Sequence, residues 1–200
     1  DNTLVNYDDL IYSIARERNL IRDGLARNKK DVRDAIRRLE GGEIEWQYVQ
    51  GVVYGPKMHE ARPANGAESF LSRCSVQGVR VYIVSHKTRL AGYDDTGTDL
   101  RVAALTWIEQ QGWFSNSGPG LSRNSVYFES SRGEKVERIR RLNCTHFIDD
   151  LEETFLEEGF PNGVQKILYA PYPPKSVPPA VKAVSSWDEA GRLMFGSLAS

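Results

Sequence analysis

Apolar residues in the first third of the chain recur at the three- and four-residue spacing of helices that bury one face. They fall in three segments: Leu10, Ile11 and Ile14; Val32, Ala35, Ile36 and Leu39; and Ile44, Val49, Val52 and Val53. Gly41-Gly42 separates the second segment from the third, and Gly55-Pro56 closes the third. We therefore predict a helical block from Tyr7 to about Gln77, whose last helix runs from Ala67 to Gln77 and stops at Gly78.

A short β-rich run from Val79 to Val84 follows this block, as expected of a strand buried on both faces. Beyond it we predict helices at 100–111 and 133–142 and strands at 125–128, 145–148 and 165–169. Stretches 115–120 and 171–179 read as loops. Alternation of this kind is typical of parallel strands joined by crossover helices. The predicted fold class is therefore α/β, with a Rossmann-like, doubly wound and mostly parallel sheet.

The balance of charged residues bears on which molecules the protein can bind. The 200 residues hold 26 Lys and Arg against 27 Asp and Glu, a net charge of −1, which disfavours nucleic acid as a partner. No apolar run approaches the length of a membrane span, and nothing at the start resembles a signal peptide. We therefore expect a cytoplasmic protein that does not bind membranes. Cys74 and Cys144 lack the spacing of a zinc site or disulfide scaffold and are interpreted as buried thiols.

Ligands of open parallel sheets bind beyond the carboxyl ends of the strands, so residues at those ends are candidates for a site. The first predicted strand ends in Ser85-His86, where a hydroxyl and backbone amides can hold a phosphate oxygen. The alternative interpretation of Ser85 is a turn former or helix cap. His86 adds a possible hydrogen bond to phosphate, and an ordinary loop position explains it equally well.

A second strand end carries two adjacent carboxylates, Asp149 and Asp150. Two carboxylates at the end of a buried strand repel each other unless a cation or hydrogen bonds offset them, and Mg²⁺ prefers such oxygen ligands. The alternative is a helix N-terminus, where acidic side chains cap free amides. Lys135 stands early in the helix before this strand, where it can bridge the carboxylates and a phosphate; the alternative is a surface lysine.

The order of these features resembles the haloacid dehalogenase superfamily of phosphohydrolases. Asp1-Asn2-Thr3-Leu4-Val5 matches the second half of its first motif, with Asp1 as the second Asp. Val79 to Ser85 matches the second motif, Lys135 the third and Asp149-Asp150 the fourth. The resemblance covers residues 1 to about 170, and the first and fourth motifs are its most specific part.

The resemblance implies a Mg²⁺-dependent phosphatase that acts through an aspartyl-phosphate on a small soluble phosphorylated metabolite. It implies Asp1 as general acid and base and, through its carbonyl, as a metal ligand. Ser85 and His86 would bind phosphate, Lys135 would neutralise charge, and Asp149 and Asp150 would hold Mg²⁺. A noncatalytic phosphate-binding or regulatory relative is the alternative, and a dehalogenase is less favoured because dehalogenation needs no metal.

The resemblance also implies a division of the chain. Residues 1–6 and 66–200 would form the core domain, and residues 7–65 a small helical cap between the first and second motifs. The nucleophilic Asp of the family stands two positions before the residue that Asp1 matches. We therefore expect that Asp, and the central strand that carries it, to precede Asp1. The sequence does not indicate an oligomeric state.

Overall fold

The computed structural model describes residues 1–93, 96–174 and 176–196, and it shows a mixed α/β protein with short parallel sheets. The helices are α1 (Asp8–Glu17), α2 (Lys29–Arg37), α3 (Gly42–Tyr54), α4 (Ala67–Val76), α5 (Leu100–Gln110), α6 (Arg132–Arg141), α7 (Glu152–Leu156) and α8 (Trp187–Phe195). The strands are β1 (Val5–Asn6), β2 (Arg62–Pro63), β3 (Ile83–His86), β4 (Val126–Glu129), β5 (His146–Asp149), β6 (Gln165–Tyr169) and β7 (Val181–Val184). Within the described ranges, no helix has both the length and the apolar character needed to cross a bilayer.

The chain forms two compact units. The first holds Asp1, Val5–Pro63 and the described residues of Thr88–Gln111. The second holds Asn2–Leu4, Ala64–Lys87 and the described residues of Gly112–Ser200.

The first unit is mainly helical, and its core is the apolar face that the sequence pattern predicted. Fully buried side chains from α1, α2 and α3 meet there: Ile11, Val32, Ile36, Trp46 and Val49. Asn28 caps α2 by accepting a hydrogen bond from the Asp31 amide at 2.8 Å. Gly42 permits the tight turn into α3, since a Cβ there would lie 2.0 Å from the Ile36 carbonyl oxygen.

Helix α5 also belongs to the first unit, although the sequence analysis placed it in the core domain. The reason is a buried aromatic anchor. Trp107 is almost fully buried, and its indole N–H donates a hydrogen bond to the Ala61 carbonyl at 2.9 Å. Because this contact joins positions far apart in sequence, the apolar spacing of α5 alone does not reveal it.

The second unit contains two parallel sheets. Strand β3 pairs with β4, and β5 pairs with β6, which pairs with β7. The predicted strands at 125–128, 145–148 and 165–169 are present within one residue of their predicted positions, whereas the run predicted at 79–84 becomes a strand only from Ile83. Neither β7 nor α8 was predicted. The α/β class is therefore confirmed, while a single doubly wound sheet remains a prediction.

One apolar cluster joins the two sheets of the second unit. Its buried members come from both sheets and from α6 and the α7 region: Val84, Val136, Ile139, Phe147, Phe155, Phe160 and Leu168. Helix α6 therefore packs against a core that β3 and β5 share. The same helix carries Lys135, so its packing decides where that side chain lies.

Candidate functional site

The centre of the candidate site is a buried ion pair between Lys135 and Asp149. Asp149 ends β5 and is 3% exposed, and Lys135 is 7% exposed. The ammonium of Lys135 donates to Asp149 Oδ2, and the Leu151 amide donates to Oδ1 at 3.0 Å. The surface interpretation of Lys135 is therefore wrong. Asp149 does not cap α7, because the amide that it accepts belongs to Leu151, which precedes the helix, and no side chain caps that helix.

Local sequence signals fix the start of α6 and so place Lys135. Ser131 and Glu134 form a capping box, in which the Ser131 hydroxyl accepts from the Glu134 amide and the Glu134 carboxylate accepts from the Ser131 amide. One turn later, Arg138 Nε donates to Glu129 Oε1 at 2.7 Å and ties the helix to the end of β4. Lys135 lies between these two anchors, so its ammonium has little freedom to move away from Asp149.

The carboxyl ends of β4 and β5 are linked through this pair. Only Ser130 and Ser131 separate the end of β4 from the start of α6, and Lys135 in the first turn of α6 reaches the end of β5. Because β3 is parallel to β4, its last residues, Ser85 and His86, lie at the same edge. Ser85, His86 and Asp149 thus end parallel strands, at the end where such sheets bind ligands, and Lys135 reaches the end of β5.

Asp150 contacts the start of the chain. Thr3 Oγ1 donates to Asp150 Oδ1 at 2.9 Å, a contact across 147 positions. The segment around Thr3 is held twice more, because the Trp187 indole donates to the Thr3 carbonyl at 3.1 Å and the Ala64 amide donates to the Leu4 carbonyl at 2.9 Å. The structure thus brings together residues that match the first and fourth motifs of the resemblance.

Asp1 lies in the first compact unit. Its half-buried carboxylate accepts a hydrogen bond from the Tyr7 hydroxyl, at 2.6 Å from Oη to Oδ1. The sequence analysis assigned no role to Tyr7, because a Tyr near the start of a helix has no distinctive pattern. The contact joins the predicted acid and base to the buried interior of the helical unit.

Ser85 and His86 lie at the predicted strand end but do not join the ion pair. Ser85 is half-buried opposite Phe128, and His86 is exposed opposite Glu129. Among the residues that the structure describes, neither side chain has a hydrogen bond or ion pair with Lys135 or Asp149. Their role in phosphate binding stays a prediction.

Lys87 is a charged residue at this edge that the sequence analysis missed. It directly follows β3, is 5% exposed, and its backbone amide donates to the Glu129 carbonyl at 2.9 Å, which extends the pairing of β3 with β4 by one residue. Lysine is seldom fully buried, so its burial could not be expected from composition. The available signal was its position immediately after the strand.

The donor set at the end of β5 fits a Mg²⁺ ion. Within residues 1–93, 96–174 and 176–196 there is no group of three or more His, Cys, Asp or Glu side chains that could hold a metal. Mg²⁺ commonly uses only one or two protein carboxylates and completes its shell with water and substrate phosphate. Each Asp149 oxygen accepts one hydrogen bond, and a carboxylate oxygen has a second lone pair for a cation.

Neither cysteine offers an alternative nucleophile. Burial raises the pKa of the Cys74 thiol to about 11 and also raises the pKa of Cys144, so both remain protonated at neutral pH. Cys74 is buried as predicted, and Cys144 is only half-buried. A cavity of about 190 Å³ in the second unit is lined by residues just before β3 and β4, including Arg80, Tyr82 and Ser125, and so lies at the opposite strand ends from Asp149.

Comparison with known proteins does not supply a family for this chain. No protein-family model matches its sequence. A search of the curated proteins finds no significant match. The geometry of its own side chains is therefore the basis for a functional proposal.

Proposed function

We propose that this protein is a Mg²⁺-dependent phosphomonoesterase of the haloacid dehalogenase type, which acts through an aspartyl-phosphate on a small soluble phosphorylated metabolite. The observation that carries the proposal is the buried ion pair of Lys135 and Asp149 at the carboxyl end of β5. These two residues match separate motifs of the resemblance, and a catalytic site of this type requires them side by side. The contact of Thr3 with Asp150 adds a third matching segment at the same place.

A role in a reaction explains the buried ion pair of Lys135 and Asp149 better than a contribution to folding stability does. Moving two charges out of water costs several kcal/mol per ion, and an apolar pair of similar volume often stabilises a protein as well or better. The Lys135 ammonium lies 5.4 Å from the centroid of the Phe147 ring, which belongs to the apolar cluster of this unit. A site that must hold both a cation and a phosphoryl group gives a reason to retain these charges.

Each predicted residue takes the role that the resemblance implies. Asp149 and Asp150 would hold Mg²⁺, with the Asp1 carbonyl as the further ligand that the resemblance implies, and bound Mg²⁺ would neutralise charge on the phosphoryl oxygens. Lys135 neutralises charge on the transferred group. Ser85, with His86, donates hydrogen bonds to phosphate oxygens.

The proton transfers of the reaction are assigned to Asp1. It protonates the leaving alcohol and then accepts a proton from the water that hydrolyses the intermediate. The nucleophile in this proposal is the Asp expected two positions before Asp1. The side chains of the protein mainly position the reacting groups and neutralise the charge on the phosphoryl group, as phosphoryl transfer requires.

The finer fold assignment belongs to the same proposal. We propose that β3 and β5 are strands of one doubly wound sheet, separated by one strand that pairs with both, and that the helices of residues 7–65 form a cap. Two observations support this assignment. Strand β3 pairs only with β4, and β5 only with β6, among the described strands, and both border the same apolar core with α6.

The test is release of phosphate from p-nitrophenyl phosphate by the intact protein, with Mg²⁺ and with EDTA. We expect metal-dependent turnover that Asp149→Asn and Lys135→Met each lower by at least about 100-fold. Matched controls in the same unit are Asp188→Asn, at the exposed start of α8, and Lys166→Met, at a half-buried lysine whose ammonium donates to the Phe155 carbonyl. Full activity of Asp149→Asn would refute the proposal.

The same assay separates the noncatalytic alternative. A phosphate-binding relative would bind inorganic phosphate, measured by calorimetry, without turning over any phosphate ester. Lys135→Met should then weaken phosphate binding, while Lys166→Met should not. Of these two lysines, only Lys135 reaches the carboxyl end of β5. Binding without turnover in the intact protein would favour that alternative over the enzyme.

A further inference from the structure

Tyr7 is buried completely, at 0% exposure, yet its hydroxyl reaches a carboxylate. The distance from Tyr7 Oη to Asp1 Oδ1 is 2.6 Å, within the range of a short O–H···O hydrogen bond. The interior of the first unit therefore presents the Tyr7 hydroxyl to Asp1.

Three elements hold the Tyr7 ring in place. Tyr7 caps the N-terminus of α1, where its carbonyl accepts the Ile11 amide at 2.8 Å. Its ring packs edge-on against Tyr54 of α3 with centroids 4.8 Å apart. Its hydroxyl also lies 3.9 Å from the sulfur of Met58, in the turn after α3. A ring fixed on three sides cannot swing away from Asp1 without disturbing the core of the unit.

We propose that Tyr7 is a positioning residue for Asp1: its hydroxyl fixes the rotation of the Asp1 carboxyl group so that the other oxygen, Oδ2, delivers and receives the proton of the reaction. This inference rests on the proposed function, because it needs Asp1 to act as general acid and base. It adds that the helical unit takes part in the chemistry by orienting the acid.

The proton balance is consistent with this geometry. In the first step the nucleophilic Asp forms a bond to phosphorus, the bond from phosphorus to the leaving oxygen breaks, and Oδ2 gives its proton to that oxygen, so Asp1 becomes a carboxylate. In the second step the oxygen of a water forms a bond to phosphorus and the aspartyl–phosphorus bond breaks, which releases phosphate, while Asp1 takes a proton from that water and returns to the acid. Tyr7 keeps its own proton throughout, because Oδ1 accepts a hydrogen bond in both states.

The competing explanation is that Tyr7 only fills space and satisfies its hydroxyl, as buried tyrosines usually do. The two explanations differ in how activity depends on the leaving group. A p-nitrophenolate ion departs without a proton, whereas an alkyl alkoxide needs one from the acid. Misorientation of Asp1 should therefore slow alkyl phosphates selectively, while a general disturbance of the fold should slow both substrates equally.

The experiment compares kcat/KM for an alkyl phosphate and for p-nitrophenyl phosphate in the intact protein and in Tyr7→Phe, which keeps the ring. We expect a loss of about tenfold or more for the alkyl substrate and of less than about threefold for the aryl substrate, with KM almost unchanged. Tyr12→Phe, on α1, should leave the ratio of the two substrates at the wild-type value.

A double-mutant cycle with Asp1→Asn completes the test, since Tyr7→Phe should add nothing once the carboxyl group is gone. Equal losses for both substrates, no loss at all, or a full additional loss in the Asp1→Asn background would each overturn the role of Tyr7. Failure of the proposed function has a different signature, namely Asp149→Asn with full activity or a wild-type protein without metal-dependent turnover. Either of those results overturns the positioning role as well.

Discussion

The two compact units differ in where they keep their charges. Ion pairs of the first unit lie at its surface, as in Arg16 with Asp23 and Arg37 with Glu43. The buried polar or charged side chains found in the described ranges all belong to the second unit: Lys87, Lys135, Asp149 and Thr154. Exposed pairs contribute little to stability, whereas buried charges are costly unless they are paired. Burial of charged side chains therefore costs free energy of folding in the second unit and not in the described part of the first.

The two units also differ in how they hold polar side chains. In the second unit, charged side chains are buried and bind one another directly, as Lys135 binds Asp149. In the first unit, an apolar core holds one neutral hydroxyl, that of Tyr7, against the Asp1 carboxylate. A neutral donor orients an acid without adding a formal charge beside it.

The largest expected effect comes from breaking the buried pair. Lys135→Met should lower the free energy of unfolding by roughly 3 kcal/mol, because it leaves the Asp149 carboxylate buried without its cation. Arg37→Met, which breaks the exposed pair of Arg37 with Glu43 in the first unit, should change it by less than about 1 kcal/mol. Urea unfolding followed by circular dichroism measures both values. Equal effects in the two variants would remove the contrast between the units.

The next effect concerns the metal. If Asp149 holds Mg²⁺, an ion concentration 100 times the dissociation constant should stabilise the folded protein by about 2.7 kcal/mol. Thermal unfolding with MgCl₂ or EDTA measures this as a rise in Tm. Asp149→Asn should lose the rise and Asp188→Asn should keep it. The same rise in Asp149→Asn would place the ion elsewhere.

A smaller effect is expected at the contact between the start of the chain and β5. Thr3→Val keeps the shape of the side chain but removes the hydrogen bond to Asp150, and it should cost about 1 kcal/mol of stability. Thr145→Val, at an exposed position just before β5, is the matched control. Chemical denaturation of the two variants compares them, and a Thr3→Val variant as stable as wild type would show that the contact is not formed in solution.

The smallest effect is expected at the surface of the first unit. The hydrogen bonds from Arg37 and then Gln47 hold the pKa of Glu43 below its ordinary value of 4.5. A lowered folded-state pKa stabilises the fold above pH 4.5, and that stability is lost as the pH falls through the lowered value. Glu43→Gln should therefore reduce slightly the drop in Tm between neutral pH and about pH 3. If Tm fell more in Glu43→Gln than in wild type, Glu43 would not stabilise the fold in the predicted direction.

Local patterns accounted for much of the fold. The helices of the first unit follow from apolar spacing, and the strands at β4, β5 and β6 follow from short β-rich runs, because both signals lie within a few neighbouring residues. Helix α8 was missed although Ser186 and Glu189 carry a helix-start signal, and the Ser186 hydroxyl does accept the Glu189 amide at 3.1 Å. Strand β7 was missed because it directly follows the proline-rich stretch 171–179, which reads as a loop.

By itself the sequence determined which residue types lie at the strand ends and where the helices begin and end. Propensity, capping and periodicity act over a few neighbouring residues, so these features are local. Only the tertiary structure decided which of those residues meet. Lys135 reaches Asp149 because α6 packs across a core shared by two sheets, and Trp107 draws α5 into the helical unit. Tyr7 meets Asp1 because α3 and the turn after it fix its ring. Such contacts depend on packing between distant segments, which no local pattern encodes.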